Sequence, residues 1–429
     1  MVGAEELIEE LLRQDMILRA RTVLPMVQPA IANGAVVIVG KRIKAVGRWQ
    51  DLARTNSDAS VDLGNVVLMP GLINAHCHLD YTHMEGQFSP PREFIDWLKL
   101  ITTTKAQWDA VEYTASWLAG AQMLLRTGTT TVADIEAVPQ LLPGVWNSTP
   151  LRVISLLEMI GITNRRPPET VLQETLDKTS GLVHKRCSVG LSPHAPYSTV
   201  VELLRRSSEV AKQRRWLLCT HVAESATEFE MFTEAAGDMF DWLRRSGREM
   251  SDCGRGSPVR HLERCGLLHQ NLLATHVNYL AHGDAKLLGR RRVNVAHCPR
   301  SHAFFRHDPF PLRRLTRAGV NICLGTDSLA SVIKPPRQSI ELDMFEEMRL
   351  LAERHPSLSG SRILRMATVD GARALGRQKS IGEISPGALA DLIALPCLGR
   401  TKRLAEAVLE HRGAIFASMI DGKWALPPA

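Results

Sequence analysis

Val66-Val67-Leu68-Met69-Pro70-Gly71-Leu72-Ile73-Asn74-Ala75-His76-Cys77-His78 is an apolar run that ends in two histidines two positions apart. Side chains alternate along a strand, so His76 and His78 at its end point to one face and can reach one ion. Outward from this strand, read over Leu68–His76, seven more apolar runs of strand length follow: Thr129–Ile135, Leu151–Glu158, Ser188–Ser192, Trp216–His221, Leu272–Val277, Val293–His297 and Val320–Gly325. Helical patterns such as Ala110–Arg126, Thr199–Gln213 and Gln338–Arg354 separate them. Eight mostly apolar strands alternating with helices predict an α/β chain with a (β/α)8 TIM barrel.

The flanks read differently. Between Asp15 and Met69 the pattern is short strands and turns, with Met16-Ile17-Leu18, Ala35–Val39 and Lys41–Gly47 as strands and Asn33-Gly34 as a turn. Past Gly382, strand-like Ala390–Leu395 and Ala414–Ile420 lead to Asp421-Gly422 as a hairpin turn into Lys423-Trp424. The expected arrangement is a small discontinuous β-sandwich built from residues 1–70 and 383–429, with the barrel over 71–382. Gly237–Gly266 reads as a long loop between the fifth and sixth barrel strands, where loops cover active sites.

Composition narrows the class. The 429 residues carry 45% hydrophobic and 23% charged side chains, ordinary for a soluble globular protein. The net charge of +7 is scattered, with short clusters such as Arg290-Arg291-Arg292 and without a basic–aromatic stripe, so nucleic acid is not the expected partner. Eight dispersed cysteines without a CxxC pair are expected to be buried free thiols. Ala4–Leu12 reads as an acidic amphipathic helix rather than a signal peptide, and no apolar stretch has membrane-spanning length. A cytoplasmic protein with a small-molecule substrate and no membrane partner is expected, a homodimer being allowed.

His221, His276 and Asp327 each stand at the end of a later strand-like run, where barrel enzymes place their chemistry. His76, His78, His221 and Asp327 make a complete set for one divalent ion, zinc foremost and iron as the other candidate. His276 is read as a donor that orients water or substrate, with a fifth ligand as the alternative. Glu224, three residues beyond His221, is placed to move a proton between water and a leaving amine, the alternative being a carboxylate that answers a helix dipole. His194 and Arg300 are candidate substrate contacts, against a loop staple and a surface ion pair, and strand parity turns Cys77 away from the metal.

These segments resemble the amidohydrolase superfamily, and its aminohydrolase (deaminase and chlorohydrolase) branch in particular. The likeness is carried by Pro70–His78, Ser192–Tyr197, His221–Glu224, Ala274–His276, Cys298–Ser301 and Leu324–Ser331. It implies one divalent metal, with Glu224 as proton shuttle, Asp327 as ligand and base, and His276 beside the nucleophilic water. The fourth strand ends without the lysine that two-metal branches carry there. Phe94–Leu98, which includes Trp97 as a substrate contact, together with Cys298–His302 and Phe304-Phe305, looks most like the aminodeoxyfutalosine deaminases, beside those of S-adenosylhomocysteine and methylthioadenosine. His302 and Val332 depart from that pattern, which has Asn at both places. Hydrolytic deamination of an adenine-type nucleoside is thus expected. The alternatives are a chlorohydrolase, another N-heterocycle aminohydrolase acting on guanine or a triazine, or a barrel used as a non-enzymatic scaffold.

Overall fold

The computed structural model describes residues 15–54, 59–396 and 403–428. The acidic helix expected over Ala4–Leu12 lies outside them. An eight-stranded mixed sheet gathers the two ends of the chain: β1 (Met16–Val23), β2 (Ile31–Val39), β3 (Arg42–Arg48), β4 (Ala59–Asp62) and β5 (Val66–Pro70) from the start. The barrel strands follow as β6 (Leu72–Cys77), β7 (Thr129–Glu136), β8 (Arg152–Met159), β9 (Ser188–Pro193), β10 (Leu218–Val222), β11 (Leu272–His276), β12 (Asn294–His297) and β13 (Asn321–Leu324). The mixed sheet is completed by β14 (Leu392–Pro396), β15 (Ala417–Ile420) and β16 (Lys423–Leu426).

Antiparallel pairing of β5 with β14, from Val66–Pro396 to Pro70–Leu392, joins the two ends of the chain. The sheet curls over Leu18, Ile38, Leu68, Leu392 and Met419 until its far edge meets the segment before β14. There Ile43 N–H donates to Ala388 O at 2.9 Å and Ala390 N–H to Lys41 O at 2.9 Å. The strand read over Leu68–His76 is in fact two. Pro70 lacks an N–H to continue a ladder, and the N–H of Gly71 leaves for Asp391 O at 3.0 Å. A Cβ on Gly71 would lie 2.1 Å from Thr130 Oγ1, so glycine is needed where the chain passes from one sheet into the other.

β6 to β13 run parallel in sequence order, buried on both faces as their apolar content requires. Ile73, Ala133, Ile154, Cys219, Leu273 and Cys323 share one apolar cluster, so the barrel is a packed core and not a channel. The seam between β13 and β6 is closed just past the strand ends. Asp327 N–H donates to His76 O at 3.1 Å, and His78 N–H donates to Asp327 O at 3.2 Å. Gly325 permits that approach, since a Cβ there would stand 2.6 Å from His76 O.

The segment 237–266, read as a loop, holds helices Asp238–Arg245 and Pro258–Arg264. The second starts on an ordinary signal, Ser257 as N-cap with Pro258 in the first turn. Among the described residues no helix is long and apolar enough to cross a membrane. The seven cysteines among the described residues are buried free thiols, and Cys77 packs outward with Trp117 and Leu124.

Candidate active site

The strand ends turn sharply where the polar residues stand. Ala223, His276 and Asp327 all have positive φ, at 51°, 74° and 55°. None is glycine, so each backbone is held in a sparsely populated region by its surroundings. After β10 the hold is visible: the Glu228 carboxylate accepts the N–H groups of Ala223 at 3.0 Å and Glu224 at 2.8 Å. Ser225 in turn caps the helix Ala226–Glu234 by accepting Glu228 N–H at 3.1 Å. Ser225-x-x-Glu228 has the spacing of a capping box, a local signal carried by the sequence itself. Asp327 is steadied by Ser331, whose hydroxyl donates to Oδ2 at 3.0 Å.

His76, His78 and His221 form a metal site, their ring nitrogens lying within 4.8 Å of one another. Glu224, His276 and Asp327 form a second group equally close. The two groups touch: Asp327 Oδ1 is 3.7 Å from His76 Nε2 and 3.6 Å from His78 Nε2. His276 Nε2 stands 3.4 Å from Glu224 Oε1. His221 Nδ1 donates to His194 O at 2.9 Å, which leaves Nε2 as the acceptor that faces the cluster. Buried His76 Nε2, His78 Nδ1 and His276 Nε2 have no hydrogen-bond partner, an arrangement that buried polar atoms rarely tolerate. Three imidazoles with a carboxylate at their edge are a donor set suited to a divalent first-row ion.

The two site carboxylates are driven apart. Burial raises Glu224 well above the usual carboxylate range, and the charges of Asp327 and Glu228 add to the rise. Burial acts the same way on Asp327, but the close imidazoles of His76, His276 and His78 outweigh it and hold the group well below. One acid is thus kept protonated beside one kept ionised, as acid–base pairs require. Burial also depresses His221 and His276, and takes His78 to about 3, so these imidazoles are neutral. His76 differs: burial lowers it, yet Asp327 and Cys219 lift it to about 9.

A cavity of about 190 Å³ opens onto both groups. His194 and Trp97, the other two candidate substrate contacts, are among the residues that line it. His194 Nδ1 is 2.5 Å from Ser198 Oγ, and Trp97 Nε1 donates to Ala330 O at 3.4 Å. Arg300 is placed elsewhere, and the expected substrate contact is corrected to a structural ion pair. Its Nε donates to Glu347 Oε1 at 2.5 Å and its Nη2 to Glu341 O at 2.9 Å, so the guanidinium is spent on the helix Met344–Arg354 and its approach. Tyr81, Lys105, Glu158, Trp242 and Leu243 also line the cavity, and no local pattern in the sequence marks them.

The amidohydrolase family profile matches residues 67–425. A 5-methylthioadenosine/S-adenosylhomocysteine deaminase of Syntrophobacter fumaroxidans is 33% identical over 84% of this chain and 79% of its own length. A 5′-deoxyadenosine deaminase of Methanosarcina acetivorans is 29% identical over 95% of this chain and 92% of its own. Among solved structures, an adenosine deaminase from Xanthomonas campestris with bound zinc superposes with a TM-score of 0.81 at 26% identity, covering 96% of this chain and 93% of that one.

Proposed function

The chain belongs to the amidohydrolase family, and from that premise we propose that it removes the amino group from the adenine ring of a 5′-modified adenosine by hydrolysis, releasing ammonia. The observation that carries this reading is the convergence, at one end of one cavity, of His76, His78 and His221 with Glu224, His276 and Asp327. The relatives at about 30% identity are named for deamination of methylthioadenosine, S-adenosylhomocysteine and 5′-deoxyadenosine, which supports the class.

A divalent ion, zinc foremost and iron as the other candidate, would be held by His76, His78, His221 and Asp327 and supplies a water acidic enough to ionise near pH 7. The protein side chains do the rest. Glu224 holds a proton and passes it to the ring nitrogen beside the carbon that bears the amino group, which makes that carbon electrophilic. Asp327 accepts the proton of the attacking water. His276 steadies the oxygen as it adds to the ring. The proton taken up by Asp327 then reaches the departing nitrogen by way of Glu224, the C–N bond breaks, and ammonia leaves a hypoxanthine-type ring as the added hydroxyl returns its proton to Glu224.

The finer reading, aminodeoxyfutalosine, rests on motif residues of which, among the described residues, Trp97 and Leu98 reach the cavity; Arg300 is bound to Glu347, and His302 Nε2 lies 3.0 Å from Asp308 O. It is therefore held here as one member of the class. Ammonia release measured on adenosine, 5′-deoxyadenosine, methylthioadenosine, S-adenosylhomocysteine and aminodeoxyfutalosine tests the proposal. Turnover of chlorinated triazines with none of the adenosines would overturn it.

A further inference from the structure

We propose that the group carried at the substrate's 5′ position is uncharged and apolar, so that methylthioadenosine and 5′-deoxyadenosine are preferred over S-adenosylhomocysteine. This inference rests on the adenine-nucleoside reading and narrows it. Away from the metal and acid–base groups, the cavity wall is Leu98, Ile101, Ile160, Ile162, Trp242 and Leu243. Leu243 is fully buried while Ile160 is half exposed, so the apolar wall runs from the interior to the mouth.

Among the described residues, Lys105 is the one lysine or arginine that lines the cavity, and it is already committed. Its Nζ lies 3.7 Å from Glu158 Oε2, donates to the Tyr81 hydroxyl, and stands 4.7 Å from the centre of the Tyr81 ring. Behind the wall, Arg248 is bound to both carboxylate oxygens of Asp252 at 2.8 Å and to the carbonyls of Pro196 and Tyr197. A carboxylate on the substrate tail therefore has no free cation to meet. It would have to displace Glu158 from Lys105 or lie unpaired against an apolar surface, and either costs binding. A methylthio or methyl group fills the same wall without that cost. Aminodeoxyfutalosine, whose tail also ends in a carboxylate, ranks with S-adenosylhomocysteine on this basis.

The test is kcat/KM of the zinc-loaded full chain on the three nucleosides. Methylthioadenosine and 5′-deoxyadenosine should exceed S-adenosylhomocysteine by about tenfold or more, the size of effect that an unpaired polar group gives. Equal efficiency, or a preference for S-adenosylhomocysteine, would overturn the inference while leaving the deaminase reading intact. No ammonia from any nucleoside would instead remove the reading beneath it. Two variants sharpen the result. Glu158→Gln releases Lys105 and should raise the S-adenosylhomocysteine to methylthioadenosine efficiency ratio. Ile160→Arg, at the half-exposed mouth where folding is not at stake, should raise it by supplying a new cation. A ratio unmoved by both substitutions counts against the proposal.

Discussion

Glu224 shows how much of this site is held by single side chains. Its backbone N–H is fixed by Glu228 at 2.8 Å and its carbonyl accepts from Asn278 Nδ2 at 2.9 Å, so the carboxyl is aimed at His276 by bonds on both sides of its Cα. Glu224→Gln keeps size and shape but cannot carry the proton. It should bind metal normally in elemental analysis while kcat falls by about 10²–10⁴; near-normal turnover would remove Glu224 from the chemistry. A second carboxyl allows a test of stability against pH. Glu136, buried at the end of β7 with Oε1 accepting Val138 N–H, is raised to about 8 by burial, with the Asp80 charge adding to the effect. Its folded pKa lies above the unfolded value of about 4.3, so the folded state holds the extra proton between the two. That contribution is complete at low pH and is lost as pH climbs through the window toward 8. Glu136→Gln should therefore gain on the wild type in thermal melts as pH is raised from 4 to 8. A variant that loses stability equally at both pH values would show that the carboxyl is ionised and paired instead.

Among the elements, the segment between β10 and β11 has the clearest separable role. Asp238–Arg245 brings Trp242 and Leu243 to the cavity, and Arg248, itself held by Asp252, ties the segment to the turn after β9 through Pro196 O and Tyr197 O. Arg248→Met keeps the bulk but strands a half-buried carboxylate and two carbonyls, a change that costs about 1–3 kcal/mol. The wall should loosen before the chemistry does, so KM should rise by more than kcat falls. An equal loss in kcat with KM unchanged would place Arg248 in the catalytic step instead. These helices also mark a limit of the sequence reading. The barrel strands were legible because burial on both faces leaves continuous apolar runs, and the histidines at their ends stood out against them. Gly237–Gly266 was not, because glycines at its borders and Gly254-Arg255-Gly256 masked two short helices whose caps are local. The break at Pro70-Gly71 was hidden for the opposite reason, apolar residues continuing across it into a different sheet. Arg300 and Lys105 were misplaced or missed because their partners, Glu347 and Glu158, lie far away in sequence.

At the scale of the whole molecule, fold and site share a joint. The barrel closes between β13 and β6 through the backbone of His76, His78 and Asp327, whose side chains are the proposed ligands. Elsewhere the barrel has longer ladders, with six paired positions between β8 and β9. The mixed sheet adds a brace there, since Arg152 on β8 bonds Asp391 at 3.0 Å and Asp421 at 2.6 Å. An ion bound by both strands would thus be a staple across a seam that backbone pairing leaves short. Its removal should act locally before it acts globally. Chelation should lower the melting temperature, with the loss recovered on adding zinc, since a ligand at 100 times its Kd stabilises by about 2.7 kcal/mol. Hydrogen exchange locates the effect: the amides of His78 and Asp327 should lose protection in the metal-free protein, while those of β8 and β9 keep theirs. Uniform loss around the barrel, or none at the seam, would show that closure does not depend on the ion and that the histidines serve chemistry alone.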